Sequence, residues 1–180
     1  MLTILTISGV VLAAALAAFL ALAARRPDAF SYARSVVIRA PAERIFPLIA
    51  DPVAFTWNPF NEDPRLRGTY SGPSRGPGAR YTFESRGAGT GYTEIVEEEP
   101  PRRLGVRLVM TKPLACDNRV EFRLEPVADG TRVTWSMSGP VTFMGKVMNQ
   151  VMDCERMCGD QFTRGLGKLK TLVEGEAVAA

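Results

Sequence analysis

One unbroken apolar run and two periodicities organise this chain. The run is Leu2 to Ala24, 23 residues without an Asp, Glu, Lys or Arg, and Arg25-Arg26 follows at once. At about 1.5 Å per residue it makes roughly 34 Å of helix, enough to cross a bilayer core of about 30 Å. Further on, apolar residues alternate with polar ones. Val133, Trp135 and Met137 share one face of a strand, with Arg132, Thr134 and Ser136 on the other. After Gly139-Pro140 the period changes. Met144, Val147, Met148, Val151, Cys158, Phe162, Leu166, Leu169 and Val173 recur at spacings of three, four and seven, which predicts one long helix with one apolar face.

The same pattern predicts the remaining elements. Ser31 to Ile38, Tyr81 to Glu84, Gly91 to Glu97, Arg103 to Met110 and Arg119 to Leu124 read as strands. Ala40-Pro41-Ala42-Glu43 opens a short helix, since proline suits a first turn and Glu43 meets the positive end of the helix dipole. Asp51-Pro52 stops it, and a second short helix is expected over Val53 to Asn58. Glycine and proline crowd Gly68 to Gly78, which reads as loop or hairpin. The order is strand, two short helices, further strands joined by hairpins, then the long helix. This is an α+β fold in which a curved antiparallel sheet of about seven strands wraps a C-terminal helix, because only that helix is long enough to cover the sheet's apolar face.

The expected organisation is a transmembrane helix over 1–24, a linker over 25–33, one folded domain over 34–174 and a tail over 175–180. A cleaved secretory signal competes for the first segment, since Ala21-Leu22-Ala23 resembles a cleavage site. Against it, no basic residue precedes the run and the run exceeds the usual signal core. Arg25, Arg26 and Arg34 follow the span, so the positive-inside rule puts the C-terminal domain of this single-pass arrangement in the cytoplasm.

Charge and cysteine usage narrow the chemistry. The 22 basic and 19 acidic residues all follow residue 24, and a net charge of +3 without a basic, aromatic-interleaved stripe argues against nucleic acid. Arg65, Arg67, Arg75 and Arg80 read as a solvated face. Three cysteines and no histidine fit neither a disulfide framework nor a metal site; Cys116, Cys154 and Cys158 read as small buried apolar residues. No nucleophile–base arrangement, phosphate loop or cofactor motif is present, so binding is favoured over catalysis.

Several short stretches together resemble the SRPBCC, or START-like, superfamily, in particular its polyketide cyclase/dehydrase and lipid-transport branch. They are Val37-Ile38-Arg39-Ala40-Pro41-Ala42-Glu43-Arg44-Ile45-Phe46, Trp57-Asn58-Pro59-Phe60, Tyr70-Ser71-Gly72-Pro73, Gly130-Thr131-Arg132-Val133-Thr134-Trp135 and Gly165-Leu166-Gly167-Lys168-Leu169-Lys170. The resemblance covers about residues 34–174. It implies the helix-grip fold and a deep apolar cavity between sheet and terminal helix, in a superfamily of both carriers and enzymes.

Parity and helical spacing nominate the wall of that cavity: Tyr81, Phe83, Val106, Leu108, Met110, Phe122, Trp135, Met137, Met144, Met148 and Phe162, with Trp57 and Phe60 near the entrance. Asn58 is the candidate polar contact. Arg107, Glu84 and Tyr92 are further polar candidates, of which Arg107 and Glu84 fall on the outward parity, and Glu97-Glu98-Glu99 ends a strand and reads as a solvated turn. The expected function is a membrane-anchored binder or carrier of a lipid, quinone, isoprenoid or polyketide-like molecule, without cofactor or metal. The alternatives are a cyclase/dehydratase-type enzyme and a non-catalytic interaction or regulatory module.

Overall fold

The computed structural model describes residues 2–51, 57–85 and 89–178. The chain divides into two compact units, one of Met1–Phe30 with Pro140–Cys154, the other of Ser31–Gly139 with Glu155–Ala180.

The second unit is built on a seven-stranded sheet. Its strands are β1 (Ala29–Ile38, whose first two residues belong to the first unit), β2 (Arg67–Ser71), β3 (Arg80–Ser85), β4 (Gly89–Glu99), β5 (Arg103–Lys112), β6 (Cys116–Val127) and β7 (Gly130–Pro140). They lie in the order β1-β7-β6-β5-β4-β3-β2, and each consecutive pair from β2 to β7 is antiparallel. The alternation that predicts strands also decides which face is buried. In β6, Asn118, Val120, Phe122 and Leu124 are buried while Arg119 and Arg123 are exposed. The outer face carries cross-strand ion pairs, including Arg107–Asp117 at 2.5 Å and Arg119–Glu97 at 2.6 Å. Such exposed pairs add little stability but fix which face is wet.

Helix α2 (Ala42–Ala50) follows β1 and buries Ile45, Phe46 and Ile49. The second short helix expected over Val53 to Asn58 lies largely outside the described residues; a 3-10 turn follows at Pro59–Asn61, capped by the Asn58 side chain. The terminal helix α4 (Cys154–Val178) buries Phe162, Leu166, Leu169 and Val173, the stripe read from the sequence.

One expectation needs correction and two are refined. The single long helix is two, α3 (Phe143–Val151) and α4, because Met152 takes an extended backbone (φ −121°, ψ 136°) beside Asp153, a residue type that favours helix starts over interiors. The Gly68 to Gly78 segment, read as loop or hairpin, takes in most of the edge strand β2 and the connection to its antiparallel partner β3. Glu97-Glu98-Glu99 ends β4 as read, but within the strand: a bulge at Val96 shifts the register, so Ile95 faces inward and Glu97 turns outward to Arg103 and Arg119.

In the first unit, α1 (Leu2–Ala24) packs against α3. Helix α1 is long and apolar enough to cross a membrane, and its Val10, Val11, Leu12 and Leu16 are exposed. A membrane anchor and a signal sequence both have that character.

Candidate ligand cavity

The inward face of the sheet and one side of α4 enclose a cavity of about 310 Å³ within the second unit. Each wall residue is set by strand parity. Tyr81 and Phe83 come from β3, Thr93 and Ile95 from β4, and Val106, Leu108 and Met110 from β5. Asn118, Val120 and Phe122 come from β6, Trp135 and Met137 from β7, and Cys158 and Phe162 from α4. Register places them side by side, with Leu108 opposite both Thr93 and Asn118, Val120 opposite Met137, and Phe122 opposite Trp135. Asn58, Phe60, Leu66 and Ala79 complete the wall.

One end is an aromatic cluster around Trp135. Its ring stacks on Phe162, with centroids 4.5 Å apart, and meets Phe122, Trp57 and Phe60 at 5.1, 5.6 and 6.4 Å. Phe60 is 43% exposed and forms part of the rim. Trp57, expected at the entrance, is 3% exposed and donates its indole N–H to the Leu48 carbonyl at 3.0 Å, so it backs the wall instead of lining it. Met144 and Met148 stand on α3 in the first unit, and the cavity wall is drawn from the second.

Among the described residues no charged side chain lines the cavity. Arg107 is on the outer face, where Asp117 holds it protonated by a two-pronged hydrogen bond that in turn lowers the Asp117 carboxyl. Glu84 is exposed, and Tyr92 lies under the Arg80 guanidinium at 4.2 Å. Asn58 uses its side-chain oxygen to accept from the Phe60 N–H at 3.1 Å, a local cap. Burial pushes the Tyr81 hydroxyl and the Cys116 thiol above their ordinary values, so both stay neutral near pH 7. Among the described residues no cluster could hold a metal ion.

The polar group that sequence reasoning missed is Asn118. It is 7% exposed, and its amide N–H donates to Cys116 Sγ at 3.3 Å, with Met137 Sδ at 4.0 Å. Among the described residues its Oδ1 has no hydrogen-bond partner, and neither has Trp135 Nε1. A buried amide oxygen left unpaired costs about 1–3 kcal/mol, which marks both atoms as places where a bound polar group would be stabilising. The signal was available: Asn118 shares the inward parity of Val120 and Phe122.

The profile of a family described as polyketide cyclase/dehydrase and lipid transport matches residues 29–174, almost the whole of the sheet and its helices. The chain belongs to that family. Solved structures agree on the family's fold at low identity. MLL2253 from Mesorhizobium loti superposes with a TM-score of 0.60 at 15% identity, covering 81% of this chain and 97% of its own. The Aha1 dimer from Colwellia psychrerythraea gives 0.59 at 18%, covering 81% and 96%. DynU16, from the dynemicin biosynthetic locus, gives 0.56 at 18%, covering 83% of this chain and 48% of its own. Comparison with curated proteins returns no match.

Proposed function

We propose that this protein is a membrane-anchored carrier that holds an apolar small molecule between its sheet and α4. The observation that supports this most strongly is a cavity of about 310 Å³ whose wall is largely aromatic, aliphatic and sulfur-bearing, with no charged group among the described residues. Apolar walls with a few fixed polar atoms characterise small-molecule sites, and this volume is at the lower end of their range of about 300–1,000 Å³. A ligand with a hydroxyl would pair with Asn118 Oδ1. That no charged acid or base lines the wall among the described residues favours carriage over proton-transfer catalysis.

Helix α1 supports the membrane half of the reading. An uncleaved α1, followed by Arg25 and Arg26, would hold the cavity-bearing unit on the cytoplasmic side of the bilayer. There a carrier would exchange ligand with the membrane over a short path. The test is a thermal-shift panel on the full chain in nanodiscs, using hydroxylated and non-hydroxylated isoprenoids, quinones, fatty acids and polyketide-like aromatics. A saturable rise in melting temperature for one class supports the reading; no shift across the panel would refute it.

A further inference from the structure

The first unit is turned inside out relative to a water-soluble helix pair. Helix α3 directs Lys146 and Gln150 at α1. Lys146, only 7% exposed, donates to the Ala24 carbonyl at 3.4 Å and pairs with Asp28 at 2.6 Å. Gln150 donates to the Phe19 carbonyl at 3.0 Å. Three apolar side chains of α3 are exposed, Phe143 at 51%, Met144 at 56% and Val151 at 77%, while Val147 and Met148 are half-buried. At 3.6 residues per turn, Phe143, Met144, Val147, Met148 and Val151 fall within an arc of about 140°; Lys146 lies well outside it, and Gln150 borders it beside Phe143. In water that arrangement exposes what should be buried. At a membrane it is the stable one, because polar side chains satisfy backbone and charge at the helix contact while the apolar face meets lipid.

Depth agrees with orientation. Phe19 and Ala24 bound the last six residues of α1, which is roughly its final 8 Å. A helix attached there stands at the headgroup boundary of any bilayer that α1 spans. Lys146 also places a cation at the negative, C-terminal end of α1, where a helix favours it.

We propose that α3 is an interfacial membrane helix, inserting Phe143, Met144 and Val151 among the acyl chains beside the end of the α1 anchor. This rests on the reading of α1 as an anchor. The partner is the phospholipid bilayer, chosen over a second protein because the apolar face continues from a helix that is itself uncharged and exposed.

The experiment uses the full chain in phosphatidylcholine–phosphatidylglycerol vesicles whose acyl chains are brominated near the headgroup, with separate Phe143→Trp, Val151→Trp and Arg132→Trp variants. Leu12→Trp, in vesicles brominated near the bilayer centre, reports insertion of α1. The expected result is loss of most of the added emission for Phe143→Trp and Val151→Trp, and none for Arg132→Trp on the outer face of the sheet. Retained emission at both α3 positions, with Leu12→Trp quenched, would overturn the proposal while leaving the anchor intact. Retained emission together with a dimer that Val151→Asp dissociates would assign the face to a second copy, also overturning it. An unquenched Leu12→Trp would remove the anchor reading itself, and the proposal with it.

Discussion

Trp135, on β7, stacks face to face on Phe162, on α4, with ring centroids 4.5 Å apart and planes 16° from parallel. This contact ties the sheet to the helix at the edge of the cavity. Phe162 is 1% exposed, so Phe162→Ala should cost about 3–5 kcal/mol through lost burial and the enlarged void. Phe162→Leu, which keeps the wall apolar, should cost clearly less. Denaturant unfolding of the full chain in detergent measures both, and equal losses for the two variants would contradict this role.

Gly165 permits the same closure. A Cβ there would sit 2.8 Å from Trp135 Cζ3 and 2.9 Å from Pro59 Cδ, closer than real contacts allow. Alanine is the better helix former by about 1 kcal/mol, but overpacking costs about 1–3 kcal/mol. The clash should win because both neighbours are ring atoms in a packed wall. Gly165→Ala is therefore expected to lower the unfolding midpoint, and a raised midpoint would show that α4 can shift freely.

Asn118→Leu separates stability from binding. Removing the unpaired amide oxygen should leave the ligand-free protein as stable as before or more so. Affinity for a hydroxylated ligand should fall about tenfold, the equivalent of one hydrogen bond of roughly 1.4 kcal/mol, and should not fall for its deoxy analogue. Isothermal titration with the pair of ligands reads this out; equal losses for both would assign Asn118 a packing role.

Acid should loosen the segment that carries Leu66 to the cavity. The Ser85 hydroxyl and then the Arg65 backbone N–H hold the Asp63 carboxylate, lowering its pKa from 3.8 to about 2. A depressed carboxylate contributes stability that is fully present above its unfolded pKa and lost as pH falls through the folded one. The stability advantage of wild type over Asp63→Asn should therefore be constant above about pH 4 and vanish towards pH 2. Unfolding curves for the two proteins across that range check it, and an advantage that grew on acidification would have the wrong sign.

Much of this architecture was legible because alternation reports directly on a sheet with one buried face. β5, β6 and β7 and the stripe from Phe162 to Val173 follow from it. β2 was not legible: all five of its residues are exposed, so no apolar side marks it. The bulge at Val96 also hid, because one inserted residue reverses the parity beyond it without changing composition. Met144 and Met148 continue the spacing of the α4 stripe, yet a 3.6-residue period is the same whether the face meets protein or lipid. Only the positions of Lys146 and Gln150 against α1 distinguish the two. Asn118 escaped because a polar residue at an inward position looks like the end of a strand. The stretch read as β6 began one residue too late to include it.

The most direct test of the central claim is native mass spectrometry of the full chain released from micelles, wild type beside Leu108→Trp, after exposure to host lipid extract. Leu108 lines the cavity, so the larger indole should fill it, and circular dichroism verifies that the variant folds. The account predicts a stoichiometric small-molecule adduct on the wild type that is lost in folded Leu108→Trp. No adduct on either protein, or equal adducts on both, would contradict a ligand held in this cavity.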